Sequence, residues 1–228
     1  ASEEDESTVA TLLGRTGTAL NYYVSEPGAV ATGFRETAGV KNPVATAPGS
    51  DLRFRIEDML IERMRNAPSL GQRITYYRAF LNIAASEKGR GVLKGLLANG
   101  GNLSGSEGVS PPASGRDTLP TGRVSASNAI PLKTKDKFDI VTRLLILGDQ
   151  QAPTLLAELE KTETSDDAKR YAYAARAGIG TAENKAKYWN DFVSNREISE
   201  SWIEAALPSW NSNRHSDLTL PYLERALK

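Results

Sequence analysis

The apolar residues of this chain recur at the spacing of an α-helix along almost its whole length. Before Pro68, five of them fall on one helical stripe: Leu52, Ile56, Met59, Leu60 and Met64. Further along, after Thr181, the same spacing predicts a helix with three residues inward: Ala186, Trp189 and Phe192 or Val193. No segment alternates apolar and polar residues with β-branched enrichment, so no strand is predicted.

About ten helices joined by short connections predict an all-α fold. Successive helices of similar length favour a HEAT-like or armadillo-like α-solenoid of helix pairs. An irregular helical bundle stays open as the alternative, because no strict repeat period is visible. We expect a single helical domain over residues 1–228.

Residues 99–131 differ in composition from the rest of the chain. They contain six glycines, four prolines and six serines, and no aromatic residue. Such a stretch cannot bury enough apolar surface to fold alone, so it is predicted to be a long surface loop inserted between helices. Two roles stay open, a passive insertion and a lid or partner-binding segment.

The residue counts exclude several kinds of site. The chain has no cysteine and one histidine, so cysteine zinc sites, iron–sulfur clusters and two-histidine metal sites cannot be built from it. It has 28 basic and 28 acidic side chains, which argues against a nucleic-acid or polybasic membrane-surface partner. No apolar run is long enough to span a membrane. A cytoplasmic location is the expectation.

Histidine and carboxylate side chains are two further kinds of candidate catalytic group in the sequence. His215 could act as a general base beside Asp217, but no nucleophile elbow or oxyanion site is nearby, so a polar histidine in a surface loop is expected. Carboxylate pairs could perform acid–base chemistry: Glu57 with Asp58 or Glu62, and Asp136 with Asp139. Their spacing predicts solvated helix faces, so no catalytic residue is assigned.

Aromatic residues at helical spacing are mostly explained by core packing. Four side chains are nevertheless candidates for the concave face of a peptide-binding groove: Tyr76, Arg78, Tyr173 and Arg176.

Several segments of the chain, most of them in its second half, resemble motifs of a known family. Residues 170–177 read Arg-Tyr-Ala-Tyr-Ala-Ala-Arg-Ala, and residues 181–189 read Thr-Ala-Glu-Asn-Lys-Ala-Lys-Tyr-Trp. Residues 220–225 read Leu-Pro-Tyr-Leu-Glu-Arg, and earlier segments read Arg-Ala-Phe (78–80) and Gly-Val-Leu-Lys-Gly-Leu-Leu (91–97). In this order they resemble the C-terminal helical domain of zinc aminopeptidases of the aminopeptidase N family. Residues 133–138 depart from the family's Asp-x-Asp-x-Arg-Trp run, since they read Lys-Thr-Lys-Asp-Lys-Phe.

The resemblance implies a substrate-enclosing, regulatory domain that is inactive alone. The zinc and the catalytic residues would lie in a separate, preceding domain, which would be this chain's partner and would remove N-terminal amino acids from peptides. This chain would carry no cofactor and would limit access by its shape. The alternative is a stand-alone α-solenoid that binds a peptide or protein without enzymatic activity.

Overall fold

The computed structural model describes residues 5–22, 48–103 and 129–226. Within these ranges the chain forms ten α-helices and one short 3₁₀ helix, and no strand. The helices are α1 (Glu6–Tyr22), α2 (Pro48–Asn66), α3 (Leu70–Ile83), α4 (Glu87–Ala98), α5 (Thr134–Ile146), α6 (Ala152–Thr162), α7 (Asp166–Ala177), α8 (Ala182–Ser194), α9 (Glu200–Trp210) and α10 (Ser216–Ala226); the 3₁₀ helix is Asn213–His215. The predicted all-α class is confirmed.

Hydroxyl side chains define where four of the helices begin. Ser69, Ser86, Ser165 and Thr181 each accept a hydrogen bond from a backbone N–H in the first turn of α3, α4, α7 and α8. Such caps satisfy donors that have no partner within the helix. The start of α8, directly after Thr181, therefore lies where the sequence predicts it.

The helices form two layers. Each odd-numbered helix contacts the next odd-numbered one, from α1 through α3, α5 and α7 to α9. The even-numbered helices pack against this row: α2 contacts α3, α4 contacts α5, α6 contacts α5 and α7, and α8 contacts α7 and α9. This order is the solenoid-like arrangement of stacked helix pairs.

Basic side chains bind the C-terminal ends of all five odd-numbered helices. On α2, Arg53 donates to the carbonyls of Leu20 in α1 and Ile83 in α3, at 2.8 and 2.9 Å. The Nε of Arg143, near the end of α5, donates to the carbonyl of Ala84 just after α3. Cations at these positions satisfy free carbonyls and oppose the negative end of the helix dipole.

The same arrangement continues through the second half of the chain. His215 Nε2 lies 3.0 Å from the carbonyl of Ile146, the last residue of α5. On α8, Lys185 donates to the carbonyls of Ala177 and Trp210, the last residues of α7 and α9, at 2.8 and 2.7 Å. Because these side chains link consecutive helix ends, the odd-numbered helices run parallel and end at one edge of the layer.

Two apolar clusters form the core. The larger one extends from α1 to α7 around residues with almost no exposed surface: Leu60, Met64, Phe80, Ile83, Leu93, Ile140, Val141 and Leu144. The smaller one joins α7 to α10 around Ala177, Tyr188, Ala206 and Trp210. The predicted inner stripe of α2 is correct for Leu60 and Met64 and wrong for Leu52 and Met59, which are 44% and 37% exposed.

The described ends of the predicted 99–131 loop close on each other. The N–H of Ile130 donates to the carbonyl of Gly101 at 2.9 Å, and Leu103 and Ile130 are both buried in the larger cluster. Gly101 has a φ of +90°, and a Cβ there would overlap the carbonyl of Ile130, so this closure requires glycine. Residues 104–128 lie outside the described residues. In the described ranges no helix combines the length and the apolar content needed to cross a bilayer.

Candidate functional site

A groove of about 420 Å³ crosses the odd-numbered layer. Thirteen residues from four helices line it: Leu81 and Asn82 of α3; Lys135, Phe138, Asp139, Thr142, Arg143 and Ile146 of α5; Tyr171 and Ala174 of α7; and Ala205, Pro208 and Ser209 of α9. These helices are consecutive in the layer. The groove is therefore a depression that spans four consecutive helices of the layer.

The floor of the groove is one face of α5. Its six lining residues, from Lys135 to Ile146, recur every three or four positions in the sequence. An α-helix places such positions on one face, here along a stripe about 16 Å long. Phe138 is buried and its ring lies 6.1 Å from that of Tyr171. Small side chains on the α7 and α9 side, Ala174 and Ala205, leave the space that the groove occupies.

The charged groups of the groove all belong to α5. Lys135 Nζ lies 2.6 Å from Asp139 Oδ2, and both side chains are partly exposed. One turn further on, Arg143 is half-buried and its Nε is bonded to the carbonyl of Ala84. The edge of the groove therefore presents a positive, a negative and a positive charge at four-residue spacing.

Two hydroxyls in the groove point back into the protein. Thr142 Oγ1 donates to the carbonyl of Phe138 at 2.7 Å, and Ser209 Oγ bonds to the carbonyls of Ala174 and Ala206. Their protons are therefore used within the fold. The α9 wall presents mainly carbon to a ligand, while the α5 edge presents charge.

The four residues predicted for a concave face lie on α3 and α7, two helices that border the groove. Tyr76 packs half-buried against the larger cluster, and Arg78 is exposed. Arg176 is paired with Glu160 of α6, with N–O distances of 2.5 and 2.6 Å. None of the four is among the residues that line the groove, and their role in binding stays a prediction.

Tyr173, the fourth predicted residue, belongs to an aromatic cluster between α7, α8 and α9. Its ring lies 4.8 Å from Tyr188 and 5.4 Å from Trp202. Its hydroxyl is 3.4 Å from Asp191 Oδ2. Burial and the nearby Asp191 carboxylate raise the pKa of Tyr173 above its usual value, so it remains a neutral donor.

The carboxylates expected on solvated faces include one that is buried. Glu57 is 1% exposed, and the expectation is wrong for it. Its Oε1 accepts hydrogen bonds from the N–H groups of Ala85 (2.8 Å) and Ser86 (3.2 Å), and its Oε2 accepts one from the Ser86 hydroxyl. The carboxylate is buried because it stabilises the N-terminus of α4, where negative charge is favoured.

The other candidate carboxylates have surface or local partners. Asp58 pairs with Lys88 at 2.8 Å, and Glu62 is exposed. Asp136 accepts a hydrogen bond from the N–H of Lys133 and so caps α5, while Asp139 pairs with Lys135. These contacts give each of the three bonded carboxylates a structural partner.

His215 is half-buried rather than placed in an exposed loop, so that expectation is corrected. Its ring packs against Gly180, where a Cβ would overlap the imidazole. Burial lowers the pKa of His215, and the nearby Lys185 and Arg214 charges act in the same direction. The hydrogen bond to Ile146 acts in the opposite direction, and it joins the residue directly before α10 to the last residue of α5.

Lys185, a buried basic residue, is missing from the predicted inner face of α8. Lys185 has no exposed surface, whereas Ala186, predicted to lie inward, is exposed. Burial lowers the pKa of Lys185 to about 8. The Nε1 of Trp210 donates back to the Lys185 carbonyl at 3.0 Å, which completes the link between α8 and α9.

The chain matches no known protein-family profile and no curated protein. Across the described residues, no group of three or more histidine, aspartate or glutamate side chains is placed to hold a metal ion.

Proposed function

We propose that the chain binds peptides in the groove between α3 and α9, as the substrate-enclosing C-terminal domain of a zinc aminopeptidase. The observation that carries the binding role is the groove itself. It is concave, its volume is in the range of ligand sites, and its surface is mainly apolar with polar groups at one edge.

The aminopeptidase role is supported by the order of the sequence motifs. The motif at 170–177 forms most of α7, which contributes Tyr171 and Ala174 to the groove. The motif at 181–189 begins at the Thr181 cap of α8 and includes Lys185. These residues build the odd-numbered layer and join its helix ends, which suits a domain whose contribution is shape.

In this role the chain would act by holding the body of a peptide. The preceding domain would contain the zinc ion, which would supply the Lewis acid for attack on the first peptide bond. The groove would restrain the remainder of the peptide, so that binding energy far from the cleaved bond positions that bond for reaction.

The first experiment is the mass and N-terminal sequence of the native gene product in its own cells. We expect a product several times longer than this chain, with a His-Glu-x-x-His helix upstream. A native product of this chain's size would refute the aminopeptidase role.

The groove is then tested in that longer protein with Ala205→Leu, which fills the groove. We expect a higher KM for long peptides and unchanged turnover of a single-residue anilide, because only long peptides reach the groove. Ala157→Leu, at an exposed position of α6, is the matched control. Equal loss on both substrates would contradict a role in holding the peptide body.

A stand-alone peptide-binding module is the second candidate. It is favoured by one observation: all four walls of the groove come from this chain, so binding needs no other domain. The native mass separates the two candidates. In either case we expect the isolated chain to show no turnover of amino-acid anilides.

A further inference from the structure

We propose that the occupant of the groove is an amphipathic α-helix, with its apolar face on Tyr171 and Ala174 and its flanking charges matched to α5. This inference rests on the proposed peptide-binding role of the groove. It adds the conformation and the charge order of the peptide.

The first argument is the shortage of hydrogen-bonding groups on the α9 wall. That wall consists of Ala205, Pro208 and Ser209, and the serine hydroxyl is bonded to backbone carbonyls inside the protein. An extended peptide would leave its backbone N–H and C=O groups facing this wall without partners. A helix bonds its own backbone groups internally and can bury an apolar face there.

The second argument is the shape of the floor. The lining residues of α5 extend from Lys135 to Ile146, about 16 Å, which equals three turns of a docked helix. Tyr171 and Ala174, both partly exposed, form an apolar bed above the buried ring of Phe138, and the small Ala174 lets a ligand side chain approach closely. Side chains at positions i, i+3 or i+4, and i+7 of a helix match this length.

The third argument is charge complementarity. Lys135, Asp139 and Arg143 follow each other at four-residue intervals along the edge of the groove. A peptide helix docked alongside α5 can present charged side chains at nearly the same interval on one of its flanks. To complement the charges of α5, this flank of the peptide carries an acidic, a basic and an acidic residue, each four positions apart.

The test uses three fluorescein-labelled 16-residue peptides and the full 228-residue chain. The parent peptide has leucines on one helical face and a Glu, Lys, Glu flank at four-residue spacing. The second has a central proline, and the third has the flank inverted to Lys, Glu, Lys. Fluorescence anisotropy gives each Kd, and circular dichroism measures helix formation on binding.

We expect the proline peptide to bind at least about 10-fold more weakly than the parent, because an interior proline breaks the helix. We expect the inverted flank to bind about 3-fold more weakly or worse, since it replaces three weakly favourable exposed ion pairs by like-charge contacts. Ala205→Leu should weaken the parent peptide, and Ala157→Leu should not. Asn82→Trp, at an exposed position of the α3 wall, blocks the groove independently of α9.

The charge order has its own control. The double variant Lys135→Glu with Asp139→Lys keeps the pair within α5 but reverses its direction. It should prefer the inverted peptide over the parent. An unchanged preference would overturn the proposed charge matching.

The remaining outcomes are distinguishable. Equal binding of the parent and proline peptides, both weakened by Ala205→Leu or Asn82→Trp, would overturn the helical occupant and leave peptide binding in the groove intact. Absence of binding by all three peptides, and by unstructured peptides of the same composition, would refute the peptide-binding role itself.

Discussion

The ammonium group of Lys185 should make the stability of the fold depend on pH in the alkaline range. Lys185 has no exposed surface, and burial lowers its pKa from 10.5 to about 8. Between pH 8 and 10.5 the unfolded state binds more protons than the folded state. The free energy of unfolding therefore rises with pH in this window, and this contribution is lost as pH falls through 8.

The size of the effect follows from the two pKa values. Linkage between pH 7 and pH 9 gives an increase in unfolding free energy of about 1.3 kcal/mol from this one group. Burial also raises the pKa values of Tyr173 and Tyr188, and these act in the opposite direction above about pH 10. A comparison that stops at pH 9 therefore isolates the lysine.

The perturbation is Lys185→Met, which keeps an unbranched side chain and removes the charge. The lost hydrogen bonds to Ala177 and Trp210 lower the stability at every pH, so only the pH-dependent part reports the ammonium group. Urea unfolding followed by circular dichroism at pH 7, 8 and 9 measures it. The difference between wild type and variant should grow by about 1.3 kcal/mol from pH 7 to pH 9.

Lys187→Met is the matched control, because it removes an exposed lysine from the same helix. Its difference from wild type should be the same at the three pH values. If the Lys185→Met difference is equally constant, the lysine is solvated in solution and the argument from burial fails.

Three further changes test the buried polar contacts, each by urea unfolding. Arg53→Met should cost about 2–5 kcal/mol, because it removes two hydrogen bonds from a buried cation to helix-end carbonyls; a cost below 1 kcal/mol would contradict this. Gly89→Ala should destabilise the wild type, since its Cβ would lie 2.7 Å from Glu57 Oε2, but much less in a Glu57→Ala background. If the effects of Gly89→Ala and Glu57→Ala on the free energy of unfolding are additive, the contact between position 89 and Glu57 is excluded. Gly180→Ala should displace the imidazole of His215, and His215→Ala should restore most of the lost stability.

The positions of the helices were largely predictable because their signals are local. Ser165 and Thr181 cap α7 and α8 through their own first turns, and a cap needs no distant partner. At the other end of α7, Gly178 directly follows the last helical residue. The all-α class follows from the same local periodicity.

The inner face of two helices was not predictable from periodicity. On α2 the structure buries Arg53 and Glu57 and exposes Leu52 and Met59. The prediction placed the apolar residues of α2 inward, because charged residues usually lie at the surface. The predicted buried face of α2 therefore differs from the observed one. The charge is inside because ends of α1, α3 and α4 meet there.

The residues that line the groove were not predicted from the sequence. The four candidates Tyr76, Arg78, Tyr173 and Arg176 lie on helices that border the groove but do not line it. The lining residues themselves, such as Asp139 and Ala205, have ordinary surface patterns. They become a site only when four helices lie side by side with small residues between large ones.

The sequence alone determined what depends on residues close in the chain: the helices, their starts and the change of composition at 99–131. Tertiary structure decided which polar residues are buried and where the groove lies. Lys185 shows the physical reason, since a buried ammonium is tolerated only where carbonyls can accept its protons. Those carbonyls belong to residues 8 and 25 positions away, and only the packing of α7, α8 and α9 brings them together.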